Sequence, residues 1–389
     1  SSSDSKEKLR HQSIRLAALL HDLGTFCFSH TTEMAYIRYG ETTNQKNSKG
    51  HPDDHEHLGS YIIKNTDFDN GVSFVLKKYG IDPQVISDLV KGISPDILAN
   101  QILHSEVDCD RMDYLLRDAH YTGLNYGNYD RDYLLHHFCT VKSGEENILA
   151  IKHNALHCVE DFLNARFAWY SQVVRSSRGA KYDALAEEIT FYLLEKSKIY
   201  SYSELLDLVK SDPSKFYGFN DQYFMTLIHR LHQEGFFAKD KRMNEIVECI
   251  LFEKSPRTIR CEEFKQRILN QDESGESEKH YKKALDKVKE IEQLIKTTGD
   301  PANWIVVDIP KKNIVFTKSK KRIVKDQQGP NILLERDPAK ILNEMGQVQL
   351  LVDVENSIIS QVQNTYNFVP NVFCSESAHE LLVKKNIIE

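Results

Sequence analysis

Between residues 11 and 196 the apolar residues return at intervals of three and four, and the region reads without strand-like alternation. That pattern restricts the first half of the chain to packed helices. Helices are expected over 11–36, with a break at Gly24, then over His55–Asn65, 71–79, 83–92, 95–118, 131–137, 153–176 and 181–196. The polar stretch "GETTNQKNSKGHPDD", 40–54, carries Gly and Pro and reads as an exposed loop. At 389 residues the chain exceeds what one core usually holds. The expected fold class is mainly α: a helical core over 1–200, a helical extension over 201–270 and a smaller α+β region over 271–389.

Residues 202–252 continue the helical texture, and "SYSELLDLVK" opens on a capping pattern. The charged "QDESGESEKH", 271–280, reads as a linker, followed by an amphipathic helix in "HYKKALDKVKEIEQLIKTT". Beyond it, "WIVVDIP", "NIVFTKS", "QLLVDV" and "NVFC" read as strands.

Several function classes lose support at this stage. A net charge of −7 argues against a general nucleic-acid coat. No apolar run approaches the roughly 18 residues a membrane span needs, so no membrane partner is expected. Seven cysteines form no CxxC pair, which suits reduced thiols in a cytosolic or nuclear compartment. No Walker loop and no GxGxxG is present.

Twelve of the 16 histidines precede residue 160, so metal or proton chemistry is expected in the first part of the chain. In "LAALLHDLG" His21 continues the stripe of Ile14, Ala17 and Ala18 that faces the interior, and Asp22 lies at its edge. A carboxylate at a buried edge needs compensation. A divalent cation would supply it, with neutral His21 as a second ligand. A helix-end His-Asp satisfied by backbone groups is the plainer account of an isolated pair. This pair is not isolated. "HSEVDCDRMDYLLRDAHYTG", 104–123, sets five carboxylates and two arginines around a helix. Asp110, Tyr114 and Asp118 share one polar stripe, while Met112, Leu115, Leu116 and Ala119 form the apolar one. A solvated face of Asp–Arg pairs would also account for that polar stripe.

The order "HDLGxxxFSH", then "DDHEHLG", then "DxDRxDYLLRDxxxTG" resembles the HD-domain phosphohydrolases, and within them the deoxynucleoside-triphosphate triphosphohydrolase group, the dGTPase-like and SAM-and-HD-domain proteins. The resemblance is strongest between residues 14 and 130 and weak after about 260. It implies an HD-type catalytic core with a divalent metal (Mg, Mn, Fe, Ni or Zn) held by His21, Asp22 and Asp110. It gives His30, Glu33 and His55 the acid–base work, His30 near the leaving-group oxygen. Arg111 and Arg166 would reach the phosphates. Tyr114 and Asp118 would lie against the sugar, with Asp118 accepting from the 3′-hydroxyl, and Tyr170, four residues after Arg166 and on the same helix face, is a further substrate-binding candidate. The substrate would be a dNTP, cleaved at the α-phosphate to deoxynucleoside and triphosphate by a homo-oligomer, with an allosteric nucleotide as a further partner.

The pattern departs from the family in three places. A first histidine ligand normally lies well upstream of the pair, yet only 20 residues precede His21, and His11 is not at the matching position. That segment is expected to have been lost ahead of residue 1. Thr25 stands where the family has His, and Val174 where a Tyr is usual. Trp169 and Phe167 read as core. The basic run 318–325, "KSKKRIVK", reads as a solvated surface, or as a phosphate-binding one. Rival readings are an HD phosphodiesterase, nuclease or nucleotidase acting on another phosphoester, and a nucleotide-binding regulatory subunit with a decayed site.

Overall fold

The computed structural model describes residues 2–43, 54–270, 275–309, 314–317 and 333–388. Most of these residues are helical. The first layer is built by α1 (Ser2–Leu20), α3 (His55–Asn65), α4 (Val72–Lys78), α5 (Pro83–Val90) and α6 (Ile97–His104), with α2 (His30–Thr43) lying against α10 (Ser177–Glu195). Helix α1 buries Ala17 in a core with Ile63, Leu76, Ile86, Leu89 and Ala99. Each of the buried Leu and Ile side chains contributes about 1.5–3 kcal/mol by leaving water.

The expected helix over 95–118 is two helices. Helix α6 stops at His104, Ser105 is extended, and Asp108 caps α7 (Cys109–Thr122) by accepting from Arg111 N. A short carboxylate before a helical run satisfies the orphan amides of a new first turn, so the chain turns here instead of continuing. Helix α7 buries Met112, Leu115 and Ala119 and ends at Gly123, whose φ of +69° lets the last turn close in the left-handed region. Its apolar stripe packs with α9 (Leu156–Trp169) and α8 (Arg131–His137).

The first 200 residues are not all-helical. Strands β1 (Phe138–Ser143) and β2 (Glu146–Lys152) form an antiparallel hairpin, with Phe138 opposite Ile151 and Ser143 opposite Glu146. β2 then pairs in parallel with β7 (Lys340–Leu342), which pairs with β8 (Val348–Leu350), so the C-terminal region completes this sheet. The expected helix over 153–176 begins as a 3₁₀ turn and ends as a π-helical turn, Tyr170–Val174, in which Arg175 N donates to Tyr170 O.

Helices α11 (Tyr202–Ser211), α12 (Pro213–Tyr217), α13 (Asp221–Gln233) and α14 (Lys241–Leu251) follow, and Ser201 with Glu204 forms the capping box at the start of α11. The stretch to residue 270 is not wholly helical, because β3 (Arg257–Thr258) and β4 (Arg267–Asn270) lie within it. After α15 (Glu276–Thr298) come β5 (Ile305–Asp308), β6 (Ile314–Val315), α16 (Ile358–Val362), β9 (Thr365–Phe368), β10 (Asn371–Cys374) and α17 (Glu376–Lys384). Two three-stranded sheets result, in the orders β3-β10-β5 and β4-β9-β6. "QLLVDV" yields only the end of β8 before a 3₁₀ turn. Most of the loop at 40–54 and the basic run at 318–325 lie outside the described residues. No helix among the described residues is long and apolar enough to cross a membrane.

Candidate active site

His21 and Asp22 sit in the turn that ends α1, and Asp110 sits in the first turn of α7. The His21 Nε2 atom lies 3.3 Å from Asp22 Oδ1 and 3.2 Å from Asp110 Oδ1. His21 Nδ1 is 2.9 Å from the carbonyl of Ala18. A carbonyl only accepts, so Nδ1 carries a proton and Nε2 is the atom turned to the two carboxylates. The hydrogen bond to Asp110, opposed by burial and joined by the charge of Asp22, raises His21 to about 9. Burial pushes Asp110 up, but its bond to His21 and the charges of Arg111 and Arg117 hold it below the usual carboxylate range. One imidazole and two carboxylate oxygens within 4.8 Å of one another make a donor set that fits a divalent metal. The Ala18 carbonyl supplies the orienting contact that such a histidine needs. A cavity of about 370 Å³ opens beside this group, and Arg15, His104, Asp113 and Arg117 contribute to its wall.

The second cluster is assembled by a tight turn. Phe28 and Ser29 both have positive φ, +54° and +55°, which non-glycine residues adopt at a cost. The turn is held by Phe28 N donating to Asp221 and by Phe28 packing edge-on against Phe224. It delivers His30 to the start of α2, one turn before Glu33. Gly24 brings the His-Asp turn against α3. A Cβ at this position would lie 2.2 Å from both Gly59 N and His55 O, so only glycine permits the approach.

Glu33 is buried, and both of its oxygens are used. His30 Nδ1 donates to Oε2 at 2.7 Å, while His55 Nδ1 and His55 N donate to Oε1 at 2.7 and 2.8 Å. Burial pushes the Glu33 carboxyl up, but these hydrogen bonds outweigh it and hold the group at about 2. Burial lowers His55, and the bond to Glu33 with the charges of Glu56 and Asp22 raises it on balance. The two rings meet edge to face at 5.0 Å. With each Nδ1–H given to Glu33, the Nε2 atoms are the faces left for proton transfer. His30, Glu33 and His55 also lie close enough to one another to share a cation.

The remaining expected residues fall into two groups. Tyr114 and Tyr170 meet, hydroxyl to hydroxyl, at 3.4 Å. Burial pushes the Tyr114 phenol up, with Arg111 and Arg166 pulling the other way, so both guanidinium groups act on this hydroxyl. Arg111 is bound back to Asp108 and to Ser105 O, and it secures the start of α7. Asp118 is 3.7 Å from Arg117, and burial pushes it up. Arg166 is buried, and its Nη2 donates to the carbonyls of Val315 and Phe316 at 3.3 and 2.8 Å. Thr25 donates to Asp22 O, Val174 is exposed, Trp169 is buried, and Phe167 stacks on Phe316. His11 pairs with Glu7 on the surface.

Sequence reasoning did not single out Glu106 and Asp108, two buried carboxylates that hold Arg166 and Arg111. They were counted among the charges around the 104–123 helix, and spacing alone did not separate them from the exposed ones.

Residues 4–118 match the family model of the HD domain. The chain is 34% identical over 158 residues to the uncharacterized protein YwfO of Bacillus subtilis, a match covering 40% of this chain and 31% of that one. It is 27% identical over 219 residues to the uncharacterized protein MJ1154 of Methanocaldococcus jannaschii, covering 56% and 41%. The chain thus spans less than half the length of these curated relatives. Among solved structures, a phosphohydrolase from Bacteroides thetaiotaomicron superposes with a TM-score of 0.57 at 16% identity, covering 94% of this chain and 79% of that one. A hypothetical protein from Aquifex aeolicus gives 0.59 at 19% identity, covering 96% and 78%. At such identities the likeness is one of fold. The match to the HD-domain model spans the first third of the chain, from α1 through most of α7, and the chain as a whole shares its fold with these solved structures.

Proposed function

We propose that the chain is a metal-dependent HD-type phosphohydrolase that takes dNTPs and releases deoxynucleoside and triphosphate. The observation that carries the hydrolase reading is the convergence of His21, Asp22 and Asp110 beside the Glu33-centred imidazole pair, with Asp22 close enough to act on His55. His21, Asp22 and Asp110 would hold a divalent cation, which when bound would supply Lewis-acid withdrawal of charge from a phosphate. Glu33 fixes the tautomer of both imidazoles. His55 Nε2 is then able to take a proton from an attacking water, and His30, in its doubly protonated imidazolium form, to give its Nε2 proton to the leaving oxygen. Tyr114 and Tyr170 form an aromatic wall for a sugar, while Arg166 and Arg111 place positive charge around it. The match to an HD domain supports the hydrolase class. The choice of dNTP rests on the motif "DCDRMDYLLRDAHYTG" and its resemblance to triphosphohydrolases. A homo-oligomer and a regulatory nucleotide belong to the same reading.

The test is a panel of the four dNTPs with Mg²⁺, Mn²⁺, Co²⁺ or Ni²⁺, with and without added GTP or a second dNTP, read by chromatography for triphosphate. Light scattering gives the oligomeric state in parallel. Triphosphate release that disappears in Asp110→Ala supports the proposal. Release of pyrophosphate or orthophosphate instead would keep the hydrolase and remove the triphosphohydrolase. No turnover of any dNTP by the metal-loaded chain would remove the reading.

A further inference from the structure

The guanidinium of Arg166 is almost wholly buried, its side chain 6% exposed, and only one of its terminal nitrogens is engaged. Nη2 donates to Val315 O and Phe316 O and lies 3.7 Å from Glu106 Oε1. Nη1 is buried without an acceptor among the described residues. A buried donor left unmade costs free energy, so the arrangement favours an incoming oxygen.

The groups that hold Nη2 come from two distant parts of the chain. Glu106 lies in the turn between α6 and α7, where its backbone N donates to Asp337 O. Its Oε2 accepts from Thr317 Oγ1 at 2.8 Å. Thr317, Phe316 and Val315 continue β6, whose register on β9 sets Val315 opposite Tyr366. Phe316 stacks on Phe167 with ring centres 3.8 Å apart, which fixes this segment against α9 next to Arg166. A planar guanidinium held by two carbonyls and a carboxylate along one edge has little freedom to turn, and its other edge is presented in a fixed direction.

We propose that Glu106, itself held by Thr317, is a positioning residue that fixes Arg166 with Nη1 free for an oxygen of a substrate phosphate. The C-terminal sheet thereby sets the geometry of a phosphate contact carried by the helical part. The inference rests on the reading above, in which the Arg166 and Tyr114 face receives the phosphates.

The experiment uses the full chain and inorganic triphosphate as the probe, with binding measured by calorimetry and folding monitored by circular dichroism. Arg166→Ala should weaken triphosphate binding by about tenfold or more, the loss of one charge-assisted contact. Glu106→Gln and Thr317→Val should each weaken it by roughly three- to tenfold, and Thr317→Ser should restore it. In the Arg166→Ala background Thr317→Val should have no further effect on triphosphate binding, because the hydroxyl acts on that contact through Glu106 and the guanidinium. Wild-type affinity in both Glu106→Gln and Thr317→Val, with Arg166→Ala still impaired, overturns the positioning role and leaves the phosphate reading intact. Additive losses in the double variant overturn it as well. Wild-type affinity in Arg166→Ala, or no binding by the wild type, overturns the phosphate reading and the positioning role with it. If Glu106→Gln does not fold, the comparison of Val with Ser at position 317 decides, since Val keeps the volume of Thr and removes only the hydroxyl.

Discussion

Glu33→Gln is the perturbation whose size follows most directly from the geometry. The Glu33 carboxylate is buried and accepts three hydrogen bonds, two of them from imidazoles. Holding a carboxyl at about 2 against an ordinary 4.5 corresponds to about 3 kcal/mol of preference for the charged form in the folded chain. The sign follows from proton counting. Above pH 4.5 neither the folded nor the unfolded chain protonates Glu33, and the stabilisation is complete. As pH falls toward 2 the unfolded chain takes up a proton that the folded chain refuses, and the stabilisation drains away. His55 works in the other direction. It is raised in the fold, so its contribution is present below its ordinary 6.5 and is lost as pH rises through its folded value. Glutamine keeps the shape but offers one acceptor oxygen and turns an NH₂ toward the second imidazole. The variant should therefore fall short of the wild type by up to about 3 kcal/mol near pH 5–6. The gap should narrow from pH 4.5 downward and fall to about a quarter of its full size at pH 2.5. Urea unfolding by circular dichroism at pH 6, 4.5, 3.5 and 2.5 measures it. A gap of the same size at every pH would show that hydrogen-bond shape, and not the charge of Glu33, holds the cluster, and the acid–base assignment would lose its physical basis.

Asp110→Asn should reduce bound divalent metal from about one equivalent to far below one in elemental analysis after dialysis, while the melting temperature moves by only a few degrees, since Asp110 lies at the edge of the core. Gly24→Ala should destabilise by about 1–3 kcal/mol and impair activity, because the new Cβ would meet His55 O and Gly59 N at 2.2 Å. Gly59→Ala should be milder, its nearest neighbour being Gly24 N at 3.2 Å, and comparing the two melting curves checks the order. Lys340 is buried, and burial lowers it from 10.5 to about 8. Between those values the unfolded chain holds a proton that the folded chain has released. Wild-type stability should therefore gain about 2 kcal/mol over Lys340→Met as pH rises from 8 to 10, read from unfolding midpoints at pH 7.5, 8.5 and 9.5.

The parts of the fold legible in the sequence were those decided by local spacing. Helical periodicity announced α3, α5, α8 and α10, and the Ser201–Glu204 capping box announced α11. The quoted motifs also named residues that the fold gathers: His21 with Asp110 from 89 positions away, and Glu33 between His30 and His55. What escaped was decided by partners far along the chain. The β1–β2 hairpin has little alternation of its own, and the free edge of its second strand is paired at Ile151 and Lys152 by β7, almost two hundred residues later. The break in the 95–118 segment depended on the Asp108 side chain winning the competition between continuing one helix and capping another.

Glu106 shows why residue roles around a site are harder to read than the ligands themselves. By spacing it is one carboxylate among five on an acidic stretch. Thr317 and Asp337 meet it in the fold, contacts of more than two hundred positions in separation, and it is buried there. A buried carboxylate between a guanidinium and a hydroxyl is costly to assemble unless every partner arrives, because an ion left unmatched in low dielectric loses more than the pair regains. The orientation of Arg166 is thus conditional on the C-terminal sheet being in place. The HD-like motifs specify which groups gather around the metal-fitting cluster, and packing from the far end of the chain specifies how Arg166 is aimed.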